Sequence, residues 1–235
     1  MKERVQLSIL IFIFALSFAI LLITPTFLTK QSSIFLLLRV GEVLDLITPI
    51  ILIPIYWMLF QVKTSSYPAR KEMIIFLIFT AFWAQGQGMR LSANAISHLL
   101  ENTKMTDVYM LTYFFDEILS HYIWQIGIIG LTILLLFRQW HYPFKEQSGI
   151  FLEVIAGIIY GITYFIIVVE GQTATLAIPF TLLLCLYGIF YGRGRLKQQP
   201  IFTLFFIGHF IALILFAVWA FYWGGLPQFS EFGII

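Results

Sequence analysis

The stretch Ala84–Gln125, AQGQGMRLSANAISHLLENTKMTDVYMLTYFFDEILSHYIWQ, constrains the rest of this chain more than any other. It carries Arg90, Asn94, His98, Asp116, Glu117 and His121 within two segments that are otherwise apolar enough to cross a bilayer. Ionisable groups in hydrocarbon are expensive unless paired or hydrated, so polar residues there mark a functional site by default. That they lie in a bilayer follows from composition. Hydrophobic residues make up 60% of the chain and charged residues 11%, against about 25% charged in soluble domains. A chain with so few charges cannot keep its surface wet, and the lipid bilayer becomes its solvent.

A spanning helix needs about 20 mostly apolar residues. Seven segments qualify: 6–28, 34–61, 72–99, 107–137, 149–170, 173–191 and 200–223. The first follows a basic end, as a secretory signal would. Its apolar run is longer than a signal core and no A-x-A site follows, so it is expected to be retained. The loops are short, which predicts antiparallel neighbours in one bundle. The expected fold is all-α: a polytopic bundle of about seven transmembrane helices, with residues 1–235 forming a single transmembrane domain.

Orientation follows from lysine and arginine. With the N-terminus cytoplasmic, the inner side holds Lys2, Arg4, Lys63, Arg70, Lys71, Arg138, Lys145, Arg193, Arg195 and Lys197, and the outer side holds only Lys30 and Lys104. This asymmetry predicts an N-terminus inside, a C-terminus outside and a multi-pass protein of the cell (plasma) membrane. No basic patch is interleaved with exposed aromatics, so nucleic acid is excluded as a partner. Cys185 is the only cysteine and can form no internal disulfide.

The rise of a helix, about 1.5 Å per residue, sets depth. His121 and His209 fall near the midplane, with Asp45 and Gln87 close to that level. Glu42, Arg90, Asp116 and Glu117 lie one or two turns further out, and Asn94, His98 and Glu170 lie near the outer boundary. Helix phase agrees. Arg39, Glu42 and Asp45 form a stripe on the second span, Gln87, Arg90, Asn94 and Ser97 one on the third, and Tyr113, Asp116, Glu117, Ser120, His121 and Trp124 one on the fourth. Three polar stripes predict one shared site opening outward.

Glu117 and His121 are spaced i, i+4 and can reach one point from one helix, a common way to build a metal site in a bundle. The expected ligands of a divalent metal (zinc first, iron or copper as options) are Asp116, Glu117, His121 and His209. Glu42 or Asp45 would act as general base, and Arg90 would hold a carbonyl or an anionic headgroup. Asn94, His98 and Glu170 are further candidates at the rim. Two other readings of the same residues stay open. One is a proton- or cation-handling network in a small transporter or sensor, since four acids (Glu42, Asp45, Asp116, Glu117) face two arginines. The other is a structural network, with Arg39 on Glu42, Arg90 on Asp116 or Glu117, and neutral histidines tying helices together. Two histidines could also ligate haem axially.

Ser97-His98, followed by Asp116-Glu117-Ile118-Leu119, resembles the seven-span superfamily of alkaline ceramidases and PAQR receptors. The resemblance implies seven helices, an intramembrane zinc held by histidines and an aspartate-activated water that hydrolyses a lipid amide or ester. Asp116 would match the aspartate and His209 one late histidine. The pattern departs at Leu213, where the second late histidine would stand, and at Asn94, where the serine would stand. His121 would then substitute for the missing ligand. The expected function is a membrane-embedded, metal-dependent hydrolase of a lipid or lipophilic substrate.

Overall fold

A computed structural model describes residues 2–33, 37–61, 68–104, 106–143, 150–192 and 194–234, without the side chains at 2–4 and 101. Seven long helical rods account for most of it: α1 Lys2–Phe27, α2 Val40–Gln61, α3 Arg70–Leu99, α4 Asp107–His141, α5 Phe151–Glu170, α6 Ala174–Gly192 and α7 Pro200–Trp223. Among the described residues there is no strand, only an isolated bridge between Gln31 and Arg39. Local chemistry sets the ends. The Arg39 amide donates to Glu42 Oε2 (2.7 Å) where α2 begins. Thr106 Oγ1 accepts from the Tyr109 amide (3.3 Å) at the start of α4. Pro200 opens α7 and Gly224, at φ +70°, closes it.

Six of these helices, α1, α2, α4, α5, α6 and α7, are long and apolar enough to cross a membrane. The predicted third span, 72–99, is helical but lies outside that set. α3 is 30 residues long, and Gln85, Gln87, Arg90, Ser92 and Asn94 dilute its apolar content. The second helix begins at Val40 rather than 34, and residues 34–36 lie outside those described. So do residue 149 of the predicted fifth span, Lys63, Lys145 and Arg193, and the side chains of Lys2 and Arg4 are likewise not described.

Glycines let the rods approach. A Cβ at Gly86 of α3 would lie 2.6 Å from the Trp124 amide nitrogen of α4. A Cβ at Gly161 of α5 would lie 2.3 Å from the Gly208 carbonyl of α7. The backbone cannot yield there, so these contacts fix which faces meet. α3 packs along α4, and α5 along both α7 and α1. The centre is aromatic. Phe14 and Phe18 of α1, Tyr56 of α2, Trp83 of α3 and Tyr160 and Tyr164 of α5 are fully buried. Their rings meet mostly at edge-to-face or tilted angles, with Phe14–Tyr56 at 4.7 Å, Phe18–Tyr160 at 4.9 Å and Tyr56–Trp83 at 5.3 Å. Outward faces carry exposed Ile9, Ile13, Leu77, Ile133, Leu183 and Val218, as lipid contact requires.

The end of the bundle that holds the start of α3 and the end of α4 is closed by paired charge. Arg138 is 3% exposed. It donates to Glu72 Oε2 (2.8 Å) and to the Phe60 carbonyl (2.9 Å). Glu153, fully buried, accepts from Ser8 Oγ (2.7 Å).

Candidate intramembrane site

A cavity of about 440 Å³ opens at the opposite end of the bundle. Its walls come from the end of α1, the start of α2, the second half of α3, the first half of α4, the end of α5 and the tail after α7. Eight predicted site residues line it together: Glu42, Asp45, Arg90, Asn94, Asp116, Glu117, His121 and Glu170. A smaller space of about 50 Å³ continues downward past Gln87, His121 and Trp124 to Ile166 and Ile167.

Each wall has its own wiring. Asp45 of α2 accepts from Arg90 Nη1 (2.9 Å) and from Gln87 Nε2 (3.3 Å), both on α3. Glu42 accepts from Asn94 Nδ2 at 3.0 Å, and His98 Nε2 stands 3.7 Å from the same carboxylate oxygen. The i, i+3 and i, i+4 spacing of these residues makes the match: one turn of α2 separates Glu42 from Asp45, and one turn of α3 separates Asn94 from Arg90. The expected side-chain pairing of Arg39 with Glu42 is replaced by the Arg39 backbone amide. The expected pairing of Arg90 with Asp116 or Glu117 is replaced by Asp45, which closes a bond between helices.

On α4 the turn Phe114–Leu119 is π-helical. A π turn inserts extra rotation and is frequent at functional sites. Here it turns Tyr113, Asp116 and Glu117 toward the space that His121 also faces. Ser120 Oγ donates to the Asp116 carbonyl inside this turn. The Asp116 carboxylate is buried and accepts from Ser97 Oγ at 3.3 Å. His121 Nδ1 lies 2.8 Å from the Glu117 carbonyl. A carbonyl only accepts, so Nδ1 carries the hydrogen and Nε2 of the neutral ring is left as the basic nitrogen.

Part of the rim is made by the tail after α7, for which the sequence analysis offered no role. Glu170 Oε2 accepts from the Phe229 amide (2.9 Å), and its carbonyl accepts from Gln228 Nε2 (2.6 Å). Gln228 and Ser230 thus join the cavity wall. The signal was present in Gly224-Gly225-Leu226-Pro227, a breaker that turns the chain back over the end of the bundle.

His209 lies elsewhere. It is fully buried on α7, its Nδ1 is 3.0 Å from Thr181 Oγ1, and Tyr164, Phe180 and Tyr160 enclose its ring at 4.6, 5.1 and 5.8 Å. It lines neither polar space. The expected metal set of Asp116, Glu117, His121 and His209 therefore does not converge. Among the described residues, no group of three or more His, Cys, Asp or Glu is arranged to hold a metal ion.

Five carboxylates line the cavity (Glu42, Asp45, Asp116, Glu117, Glu170) against two guanidinium groups, Arg39 and Arg90. With all five ionised, three negative charges lack a fixed cation among the lining residues. Protons or a positively charged guest would balance them.

These features define a multi-pass membrane protein with an acid-rich polar cavity at one end of its bundle. No family model, curated protein or solved structure matches the chain.

Proposed function

We propose that this chain is a membrane-embedded enzyme that hydrolyses an amphiphile, with the guest's polar head in the acid-rich cavity and its tail in the surrounding bilayer. The observation that carries this reading is that the cavity gives way below to packed aromatic core. On three walls that core begins about one turn beneath the lower residues: Phe18 below Leu22, Trp83 below Gln87, and Tyr164 below Ile166 and Ile167. A pocket floored by packed aromatics suits binding and reaction better than passage. Its surplus of carboxylates favours a head that is cationic or rich in hydrogen-bond donors. Arg90, held by Asp45, would fix the linkage to be cut. His121 Nε2 would take the proton of the attacking water, and Glu117, protonated at the start, would give its own proton to the leaving group and be reprotonated from His121 for the next cycle. The reaction class itself comes from the resemblance at Ser97-His98 and Asp116-Glu117. No step is routed through zinc, because the expected ligands do not meet.

The same reading takes α3 as the seventh span, the N-terminus as cytoplasmic, and the cavity as facing outward across the plasma membrane. α3 supports this by its length, about 45 Å at the usual rise, and by its packing along α4 through Gly86. Reporter fusions at the C-terminus test the orientation; a cytoplasmic C-terminus overturns it.

The deciding experiment incubates purified protein in lipid nanodiscs with ester- and amide-linked amphiphiles, of cationic, zwitterionic and anionic heads, beside His121→Gln and Glu117→Gln. Turnover of one head class, lost in both variants, supports the enzyme. Saturable head-class binding with no product in any sample rejects hydrolysis. The proton- and cation-coupled alternative keeps one observation in its favour, the uncompensated negative charge. It requires pH-driven uptake in sealed vesicles, which a pocket floored by packed aromatics does not predict.

A further inference from the structure

A second recess lies at the other end of the bundle, on the outside. Between α4 and α6 runs a groove of about 450 Å³, well within the size range of ligand clefts. Phe137 and Trp140 on α4 and Leu183 and Tyr187 on α6 form its sides, with Phe202 of α7 at its floor. Phe137 and Leu183 are 54% and 67% exposed, whereas Phe202 is 2% exposed. The groove is therefore recessed and faces the bilayer. From Ile133 to His141 it extends for eight residues of α4, about 12 Å, close to the roughly 15 Å of hydrocarbon in one leaflet. Its long axis matches an extended acyl chain lying against the protein.

One end of the groove is basic. His141 closes it, with Nδ1 held 2.8 Å from the Phe137 carbonyl and the rest of the ring exposed. The Arg195 guanidinium lies over Trp140, 4.4 Å from the ring centroid. Arg195 is exposed, and Lys197 follows two residues later in the same connection between α6 and α7. No carboxylate lines the groove among the described residues. The nearby Arg138 takes no part, being buried against Glu72. This is the reverse of the polar cavity, where acids outnumber bases. Trp140, Tyr187 and Tyr191 cluster at the same level, with ring centroids 4.9 and 5.5 Å apart, as aromatics do at the headgroup boundary.

We propose that this groove is a site for one anionic glycerophospholipid from the leaflet on the arginine-rich side. One acyl chain would occupy the apolar trough, and the phosphate would sit between Arg195 and His141. An arginine held flat on a tryptophan is pre-oriented and presents its outer N–H groups to phosphate oxygens. The proposal stands apart from the enzyme reading, since it uses no residue of the polar cavity.

The test reads lipid retention. Delipidated protein is reconstituted in phosphatidylcholine nanodiscs with one fifth phosphatidylglycerol, then released and weighed intact by native mass spectrometry. The wild type is expected to keep one phosphatidylglycerol per chain in preference to phosphatidylcholine. Arg195→Gln should lower that retention at least fivefold with helical content unchanged. Leu183→Trp, which fills the trough without touching the basic end, should do the same. Val218→Trp, on an exposed face of α7, should retain the lipid as wild type does. Equal retention of the two lipids, or equal loss in Leu183→Trp and Val218→Trp, overturns the site and leaves annular lipid only. Should Arg195→Gln not fold, the pair Leu183→Trp and Val218→Trp still decides it.

Discussion

The two ends of the bundle treat charge in opposite ways. At the closed end Arg138 meets Glu72 and a backbone carbonyl, and Glu153 meets a serine hydroxyl. Little of these groups reaches solvent, and each has a partner within 2.9 Å. At the open end five carboxylates surround two guanidinium groups and about 440 Å³ of space. Among the described residues there, Asp45 has the one arginine or lysine ion pair, and the side chain of its partner Arg90 is 36% exposed. Charge at the closed end joins helices. Charge at the open end remains unbalanced, which a fold selected for stability alone would not retain. Removing a charge should therefore cost mainly stability at one end and mainly binding or turnover at the other.

The largest effect is expected from Arg138→Met. It leaves Glu72 without its cation and the Phe60 carbonyl without its donor in a closed site. Breaking a buried pair from one side costs roughly 3–5 kcal/mol. Unfolding in mixed micelles should show that loss, and Arg138→Met with Glu72→Gln should recover much of it. A single variant within about 1 kcal/mol of wild type would erase the contrast between the ends. Next comes His209→Leu, which strands the Thr181 hydroxyl inside the aromatic core. Hydrogen bonds between membrane helices average below 1 kcal/mol, so about 1 kcal/mol is expected. Binding at the polar cavity should stay unchanged, because His209 is not in its wall. A loss of head-group binding with stability intact would return His209 to the site. Asp45→Asn should cost less, about 1 kcal/mol at most, since Arg90 can turn to solvent. It should nevertheless weaken head-group binding about tenfold by releasing the Arg90 guanidinium.

How far the sequence foretold this contrast depends on which coordinate of a residue it fixes. Which residues share one end of the bundle was legible, because helix rise is constant, and eight predicted site residues line one cavity. Polar phase was legible on α2 and α3, so Glu42, Asp45, Arg90 and Asn94 were expected at one site, and all four line one cavity. Direction on α7 was not legible. That helix is apolar all round, and nothing in its pattern says which face looks inward. His209 was expected beside His121 but looks toward Thr181. The π turn at Phe114–Leu119 was also hidden, since it depends on packing and not on a breaker residue. A structural network would have paired Arg90 with Asp116 or Glu117, and the α2–α3 contact gave it Asp45. The tail's share of the rim was missed because the chain after Gly224 is too short to make a span and is broken by Pro227.

The smallest stability effect is expected from Glu117→Gln, and its sign is the sharpest test of the open end. Glu117 lines the cavity beside Asp116 and accepts no side-chain hydrogen bond among the described residues. The charges that act on it are Asp116 and Glu170, which repel it, and Arg90, which attracts it. Replacing it with an isosteric amide relieves the repulsion, gives up the attraction and breaks no hydrogen-bonded pair. Stability should stay within about 0.5 kcal/mol of wild type or rise, the range of a substitution that disturbs no packing. Turnover of the amphiphile should fall by a factor of about 10²–10⁴, the contribution of a general acid or base. Thermal unfolding and the nanodisc assay on one preparation give both numbers. A clear loss of stability would mean that Glu117 is a structural partner like Glu72, and the two ends of the bundle would then differ in openness but not in purpose.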